Sequence, residues 1–259
     1  MTTVWDPALY LRHADHRGRP FGELLARVPV DAATVVDLGC GAGNLTSMVR
    51  ARWPEATVVG VDSSPEMIER ARTDDPGTTY VVDDVQTWEP EAPVDAIVSN
   101  AMFQWVPDQL DVIERLLQHV APGGAFALQV PHNFDAPSHR ILAELGAEEP
   151  YAQHTSGAGR AYGTTAAEYL RFFADRGWSA DVWETTYQHV LPGEDAVWSW
   201  ISGTGARPFV QALPDDLREQ FVEEYKARLR VAYPRESWGT ALPFDRVFAV
   251  AVREDRPVA

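Results

Sequence analysis

A glycine-rich loop is the first part of this sequence whose residue types and spacing could do chemistry. Asp37 precedes the loop, glycines stand at 39, 41 and 43, and Asp62 ends the next apolar segment. Glycines at a strand-to-helix turn let the backbone approach a ligand closely, and the N-terminus of the following helix favours negative charge. A carboxylate at position 62 can accept hydrogen bonds from the two hydroxyls of a ribose. These residues therefore predict a nucleotide-like cofactor.

The loop by itself leaves the cofactor open, because the same strand–loop–helix arrangement also binds NAD and FAD. Asn44 stands where the third glycine of a GxGxxG fingerprint belongs. No Gly-Lys-Ser/Thr follows the loop, which excludes a Walker phosphate-binding loop. An NAD-linked protein or a non-catalytic nucleotide-binding module remains the alternative, and preferential binding of NAD would favour it.

Other reactive side chains form no recognisable catalytic or metal-binding pattern. The seven histidines include no HExxH motif and Cys40 is the only cysteine, so no metal is predicted. Cys40 has no obvious base nearby in sequence, and we interpret it as a small loop residue. Asp83 is interpreted as a solvated carboxylate.

The elements that position the loop alternate along the chain. Short apolar runs predict strands, and apolar residues at helical spacing predict helices between them. Strands are predicted at 34–39, 56–62, 78–84, 94–100, 124–131, 179–191 and 245–254. Helices are predicted at 44–53, 64–72, 108–120, 138–145, 166–176, 194–202 and 214–231, the first two capped by Asn44 and Ser64. The alternation predicts an α/β fold with a mostly parallel, seven-stranded sheet and helices on both faces.

The chain is predicted to form a single domain, because no repeat or low-complexity linker interrupts residues 1–259. The sheet core is expected at about 33–131, 166–191 and 243–254. The segments at about 132–165 and 192–242 are expected to form a helical cover over the sheet.

The charge balance limits the partners. The 259 residues include 22 Lys and Arg against 38 Asp and Glu, a net charge of −16. Nucleic acids and anionic membranes attract basic surfaces, so neither is predicted as a partner. A secretory leader pattern, a membrane-spanning apolar stretch and a cysteine pair are all lacking, which favours a cytoplasmic location. The oligomeric state is left open, and a monomer is compatible with the sequence.

The pattern of Asp37, the three glycines, Asp62, Asp84 and Asn100 resembles the class I S-adenosylmethionine-dependent methyltransferases. The resemblance implies a Rossmann-like fold and S-adenosyl-L-methionine as cofactor. It places Asp37 near the methionine amino group and Asp62 on the ribose hydroxyls. The full set of cofactor-binding residues that it implies is Asp37, Gly39, Cys40, Gly41, Asp62, Ser63, Met67, Asp84, Val85, Asn100 and Ala101.

Further segments are similar to the trans-aconitate 2-methyltransferase family over nearly the whole chain. Residues 146–165 depart from that family's pattern, in the predicted substrate cover. The matching segments are WDPxxYL (5–11), RP (19–20), LLARV (24–28), Asp62-Ser63-Ser64-Pro65-x-Met67-Ile68, SNA (99–101), QW (104–105), QVP (129–131), VWETTY (182–187), TGxRP (204–208) and PF (243–244).

The resemblance implies an enzyme that methylates a carboxylate of trans-aconitate, a small tricarboxylate, to give the monomethyl ester. A carboxylate is already nucleophilic at neutral pH, so no general base is predicted. The other carboxylates need cations, and arginine suits them best. Arg207 and Arg19 are the first candidates and Arg17 the next. Weaker candidates for lining the pocket are Tyr10, His13, Gln104, Trp105, His132, Tyr187 and Trp200.

Two alternatives within the methyltransferases remain. The divergent segment 146–165 leaves room for another small carboxylate, amine or hydroxyl acceptor. A nucleic-acid methyltransferase is disfavoured, because Asn100 is followed by Ala-Met-Phe rather than the Pro-Pro-aromatic run of base-amino methyltransferases.

Overall fold

The structure is a computed structural model that describes residues 14–158 and 163–254, with side chains from residue 18 onwards within these ranges. These ranges contain ten α-helices and eight strands. The helices are α1 (Ala14–Arg27), α2 (Thr46–Arg52), α3 (Pro65–Asp74), α4 (Gln109–Leu117), α5 (Pro137–Gly146), α6 (Ala152–Thr155), α7 (Ala166–Ala174), α8 (Ala196–Ile201), α9 (Arg207–Ala212) and α10 (Asp215–Ala232). The strands are β1 (Thr34–Leu38), β2 (Thr57–Asp62), β3 (Thr79–Val82), β4 (Val94–Asn100), β5 (Val120–Pro131), β6 (Trp178–Leu191), β7 (Arg235–Glu236) and β8 (Gly239–Arg253).

The strands form one sheet in the order β3-β2-β1-β4-β5-β8-β6, and β7 pairs with β8. The pairs β1/β2, β2/β3, β1/β4 and β4/β5 are parallel. Helix α2 connects β1 to β2, α3 connects β2 to β3, and α4 connects β4 to β5, because parallel neighbours need a crossover. The predicted α/β class and mostly parallel sheet are therefore confirmed.

Several predicted details are corrected. The sheet has eight strands rather than seven, since β7 forms an antiparallel two-residue ladder with the start of β8. That hairpin was missed because two residues carry no alternating apolar pattern. Helix α9 was also missed, because six residues are too few to show a helical period. Asn44 is not the cap, because the N-cap is Leu45 and α2 begins at Thr46.

The predicted cap of the next helix is confirmed. The Ser64 hydroxyl accepts a hydrogen bond from the Met67 amide at 3.2 Å, and Pro65 occupies the first turn of α3. Proline suits this position because its missing N–H would have no partner within the helix.

The contacts of the chain divide the described residues into two compact units. The sheet unit comprises residues 15–131, 163–185 and 247–254, and the helical unit comprises residues 132–158 and 186–246. The prediction of a single domain stays a prediction.

The sheet unit is built on a large apolar core beneath the strands. Val36, Ile97, Phe126 and Val247 bring strand side chains into it, and Phe173 of α7 packs against Phe126 with ring centroids 6.3 Å apart. Burial of these side chains stabilises the parallel strands whose ends carry the predicted cofactor residues.

The helical unit has its own core, formed mainly by α5, α8 and α10. Trp200, Phe221 and Tyr225 are fully buried there. The Tyr225 hydroxyl donates to the backbone oxygen of Ser138 at 2.9 Å, and the Ser138 amide donates to the Tyr233 hydroxyl at 3.1 Å. These two bonds attach the first turn of α5 to α10 and to the residue that follows it.

None of the helices in the described ranges is both long and apolar enough to cross a membrane. The cytoplasmic location stays a prediction.

We expect the Tyr225→Phe variant to be less stable by about 1–2 kcal/mol, because it removes a buried hydrogen bond to the backbone oxygen of Ser138. Urea unfolding followed by circular dichroism measures the change. Val231→Ala is the control in the same helix, since Val231 is 84% exposed and should not affect stability. Equal unfolding midpoints for the two variants would contradict the assigned role of Tyr225.

Candidate active site

The carboxyl ends of the central parallel strands bring several predicted residues together. Asp37 pairs with Val98 across β1 and β4, and Asn100 pairs with Gln129 across β4 and β5. The chain order reverses between β1 and β4, since the strands beside β1 are β2 and β4. In open α/β sheets ligands bind at such a switch point, beyond the carboxyl ends of the strands.

The glycine loop is closed on one side and open on the other. Gly39 and Gly41 both have positive φ, at 76° and 56°. A Cβ at Gly39 would lie only 2.4 Å from Cγ of Met102, whereas a Cβ at Gly41 would meet no atom within 4 Å. Gly39 is therefore required by packing, and Gly41 leaves space in which a ligand can lie against the backbone.

Asp37 is a buried carboxylate at the end of β1. Its side chain is 2% exposed and accepts a hydrogen bond of 2.6 Å from the Thr46 hydroxyl. Burial raises the pKa of Asp37 to about 6, the Thr46 hydrogen bond opposes this, and the charge of Asp62 adds to it. A cationic group beside Asp37 would reverse the shift, which fits the methionine ammonium of the predicted cofactor.

Asp62 organises the loop from the end of β2. Its two oxygens accept hydrogen bonds from the Gly41 amide and the Ser64 amide, each at 2.9 Å. Burial raises the pKa of Asp62, and these backbone bonds partly offset the rise. A carboxylate has about four acceptor positions, so Asp62 retains capacity for the hydroxyls of a ribose.

A rigid turn forms the floor of the site after β4. Gln129 donates from its amide to the side-chain oxygen of Asn100, and the Ala101 amide donates to the Gln129 backbone at 2.8 Å. Ala101 has φ of 56°, an uncommon left-handed conformation for a residue with a side chain. Gln104 holds this turn, because its side-chain amide donates to the Ala101 oxygen at 2.6 Å. Such locally strained backbone is often found at functional sites.

Three other predicted cofactor residues lie in or after the loop. Cys40 is buried, and burial followed by the charges of Asp37 and Asp62 raises the pKa of its thiol. An unreactive thiol agrees with its interpretation as a loop residue. Met67 is buried in α3, and Ser63 is exposed beside Asp62.

Asp84 and Val85 follow β3 at the same edge of the sheet. Asp84 is exposed and accepts a hydrogen bond of 2.9 Å from the Gln86 amide, which closes a local turn. Val85 is half-buried against the core of the sheet unit. The turn presents one polar and one apolar side chain, as an adenine ring would require.

The predicted substrate residues divide into different environments. Arg19 is exposed and forms an ion pair of 3.1 Å with Glu23. Arg207 is half-buried at the start of α9. Gln104 is buried in the floor, and Trp105 next to it is half-buried.

The remaining predicted pocket residues are placed as follows. Tyr187 and Trp200 are core side chains of the helical unit, each 2% exposed. Their ring centroids lie 6.0 and 4.5 Å from the ring centroid of His189. The His132 amide donates to the Asp245 oxygen at 2.8 Å. Tyr10, His13 and the side chain of Arg17 lie outside the described residues.

Two residues of the site were missed in the sequence. Thr46 supports Asp37, and Gln129 supports Asn100. Gln129 belongs to the QVP segment, whose only signal in the sequence is the family resemblance.

Comparisons with known proteins agree with this geometry. The model of a methyltransferase domain family matches residues 10–180. The trans-aconitate 2-methyltransferases of Streptomyces coelicolor and Streptomyces avermitilis are 48% and 47% identical to this chain over 96% of its length. These alignments cover 86% and 97% of the two relatives. The chain belongs to the trans-aconitate 2-methyltransferase family.

This family membership confirms the predicted methyltransferase class and S-adenosyl-L-methionine as the cofactor. The Methylobacterium nodulans member, 42% identical, matches over 96% of this chain and 98% of its own. The similarity is therefore end to end, as the sequence motifs predicted.

Solved structures show the same fold at low sequence identity. The YcgJ protein of Bacillus subtilis is 14% identical, with a TM-score of 0.59 over 92% of this chain and 99% of its own. The plantazolicin methyltransferase BpumL, solved with a plantazolicin analogue and SAH, is 13% identical, with a TM-score of 0.53 over 96% and 92%. These likenesses support the fold alone.

We expect Gly39→Ala and Gly41→Ala to fail in different ways. Gly39→Ala should lower the melting temperature strongly, because the added methyl collides with Met102. Gly41→Ala should cost only about 1–2 kcal/mol of stability for its positive φ. It should nevertheless weaken S-adenosylhomocysteine binding at least tenfold, because the methyl occupies the open face of the loop. Thermal unfolding measures the melting temperatures, and calorimetry measures the affinity for S-adenosylhomocysteine. Wild-type affinity in Gly41→Ala would contradict a ligand lying against the open face of the loop.

Binding of S-adenosylhomocysteine should weaken as the pH falls below about 6. Above that pH Asp37 is ionised and can pair with the ligand ammonium, and below it the carboxyl is protonated. A single titrating group predicts a rise in Kd of about tenfold per pH unit below its pKa. Calorimetry between pH 5 and 8 measures this, and the Asp37→Asn variant should bind weakly with a flat profile. An equally steep profile in that variant would assign the titration to another group.

Proposed function

We propose that this protein transfers the methyl group of S-adenosylmethionine to a carboxylate of trans-aconitate, giving a monomethyl ester. The observation that carries this proposal is the end-to-end similarity, up to 48% identity, to trans-aconitate 2-methyltransferases. The cofactor side of the site supports it independently, because Asp37, Gly41 and Asp62 fit an amino acid joined to a nucleoside.

The reaction needs positioning rather than acid–base chemistry. S-adenosylmethionine supplies an electrophilic methyl group on a positively charged sulfur. The substrate carboxylate forms a bond from oxygen to this methyl, the methyl–sulfur bond breaks, and its electron pair goes to sulfur. No proton is removed from the nucleophile, so the residues of this chain align the reactants and exclude water.

The cofactor residues hold one end of that alignment. The buried Asp37 carboxylate favours the ligand ammonium, and Asp62 accepts from the ribose hydroxyls while it keeps the loop closed through Gly41. The floor of Asn100, Ala101 and Gln104 is held by hydrogen bonds before any ligand arrives. A preorganised floor saves the free energy of ordering it during catalysis.

The substrate is expected to bind through arginines. The protein carries a net charge of −16 and trans-aconitate carries three negative charges at neutral pH, so attraction must be local. Arg207 is the first clamp, because it is half-buried and a guanidinium binds carboxylate more strongly away from water. Arg19 is the second and must exchange its ion pair with Glu23 for the substrate. Arg17 is the third.

The protein should convert S-adenosylmethionine and trans-aconitate to a product heavier by one methyl group, detected by mass spectrometry. Arg207→Ala should raise the KM for trans-aconitate about 10–100-fold, the value of one charged hydrogen-bonded pair, with little change in the KM for the cofactor. Arg19→Ala should have a smaller effect, since this side chain is exposed.

Arg235→Ala is the matched control, since Arg235 is exposed on the β7–β8 hairpin. The proposed substrate would be rejected if wild-type protein produced no ester at millimolar trans-aconitate. A panel of small carboxylates and alcohols would then identify the acceptor. An unchanged KM for trans-aconitate in Arg207→Ala would reject Arg207 as the carboxylate clamp and leave the proposed reaction standing.

A further inference from the structure

Asn133 is an unexplained polar residue in the helical unit. Its side chain is 3% exposed, and neither its amide nitrogen nor its amide oxygen has a hydrogen-bond partner among the described residues. A buried polar group without a partner costs about 1–3 kcal/mol. Native proteins retain few such groups, and a bound ligand or an ordered water usually satisfies them.

The chain around Asn133 is folded tightly. The Ala136 amide donates to the Asn133 backbone oxygen at 3.0 Å, which closes a turn leading directly into α5. The Phe134 ring meets the ring of His139 edge-on, with centroids 5.8 Å apart. Asn133 and His139 therefore belong to one local cluster at the start of α5.

His139 presents a neutral ring in this cluster. Burial lowers its pKa to about 4, so the imidazole carries one proton at neutral pH. Its Nδ1 lies 3.3 Å from the Ser138 hydroxyl. When that hydroxyl donates to Nδ1, the ring proton is on Nε2, which becomes a hydrogen-bond donor.

A glycine makes room beside this Nε2 atom. A Cβ at Gly205 would lie 3.1 Å from Nε2 of His139, so any larger residue would press on the ring. Gly205 belongs to a turn closed by a hydrogen bond of 3.1 Å from the Arg207 amide to the Thr204 oxygen. The turn that carries Arg207 therefore lies against His139.

Asn133 lies close along the chain to a residue of the site floor. Asn133 follows Gln129 of the site floor by four residues, and four residues span at most about 14 Å. Asn133 is thus covalently tied to the strand end that carries the floor.

We propose that Asn133, His139 and Arg207 form a carboxylate-binding subsite that holds a non-reacting carboxylate of a tricarboxylate substrate. This inference rests on the proposed function and extends it to specificity. Arg207 supplies the charge, while the Asn133 amide and the His139 Nε2–H supply directional neutral donors. A carboxylate has enough acceptor positions for all three.

The test measures binding of tricarballylate, a saturated tricarboxylate, by calorimetry to protein saturated with S-adenosylhomocysteine. Asn133→Asp keeps the shape of the side chain and replaces a donor with a negative charge, so tricarballylate should bind at least tenfold more weakly. Gly205→Ala presses on His139 and should weaken binding severalfold. Gln188→Glu is the matched control, since Gln188 is exposed on β6 in the same unit and outside the predicted cover. It should bind as wild type does.

Steady-state kinetics separates a binding role from a structural one. Asn133→Ala should lower kcat/KM for trans-aconitate more than for the dicarboxylate fumarate, because fumarate lacks the third carboxylate. The KM for S-adenosylmethionine should remain unchanged. Wild-type tricarballylate affinity in both Asn133→Asp and Gly205→Ala would overturn the subsite and leave Asn133 as a water-binding residue. Equal losses of kcat/KM for trans-aconitate, fumarate and S-adenosylmethionine would also overturn the subsite.

The outcomes distinguish this inference from the proposed function. Ester formation from trans-aconitate that is unaffected by Asn133→Asp rejects the subsite and keeps the function. Tricarballylate binding that depends on Asn133, without any ester from trans-aconitate, rejects the function and keeps the subsite.

Discussion

The buried carboxylate of Asp37 is the constraint on which the site depends. A strand end places it under the glycine loop, where water cannot solvate it and the charge of Asp62 opposes it. The Thr46 hydrogen bond relieves only part of this cost. An ionised carboxylate in such a place favours a cationic ligand, which supports the proposed pairing of Asp37 with the ammonium group of the cofactor.

The neighbouring residues make that charge usable by keeping the backbone fixed. Asp62 holds the loop through Gly41, and Met102 fills the space that only a glycine at position 39 leaves. Gln104 stabilises the left-handed Ala101 on the other side. Hydrogen bonds and packing contacts therefore hold the glycine loop and the turn after β4 in place.

Substrate recognition faces the opposite electrostatic problem. For the proposed substrate, a protein of net charge −16 must bind a trianion, so long-range attraction is lacking and short-range contacts decide affinity. Of the two proposed clamps, half-buried Arg207 suits this need better than exposed Arg19, because water and salt screen a surface charge. In the proposed subsite, the neutral donors of Asn133 and His139 would add direction without further charge.

The sequence by itself determined the α/β alternation, the cofactor class and the family, because glycine spacing, strand-end acids and apolar periodicity are local features. It did not reveal α9 or the β7–β8 hairpin, which are too short to show a period. The tertiary structure alone showed that Tyr187 and Trp200 are core residues and that Arg19 is paired with Glu23. It alone also showed that Asn133 is buried without a partner in the described chain and that Gly205 adjoins His139. Burial and contact between residues distant in sequence depend on packing, which no local pattern records.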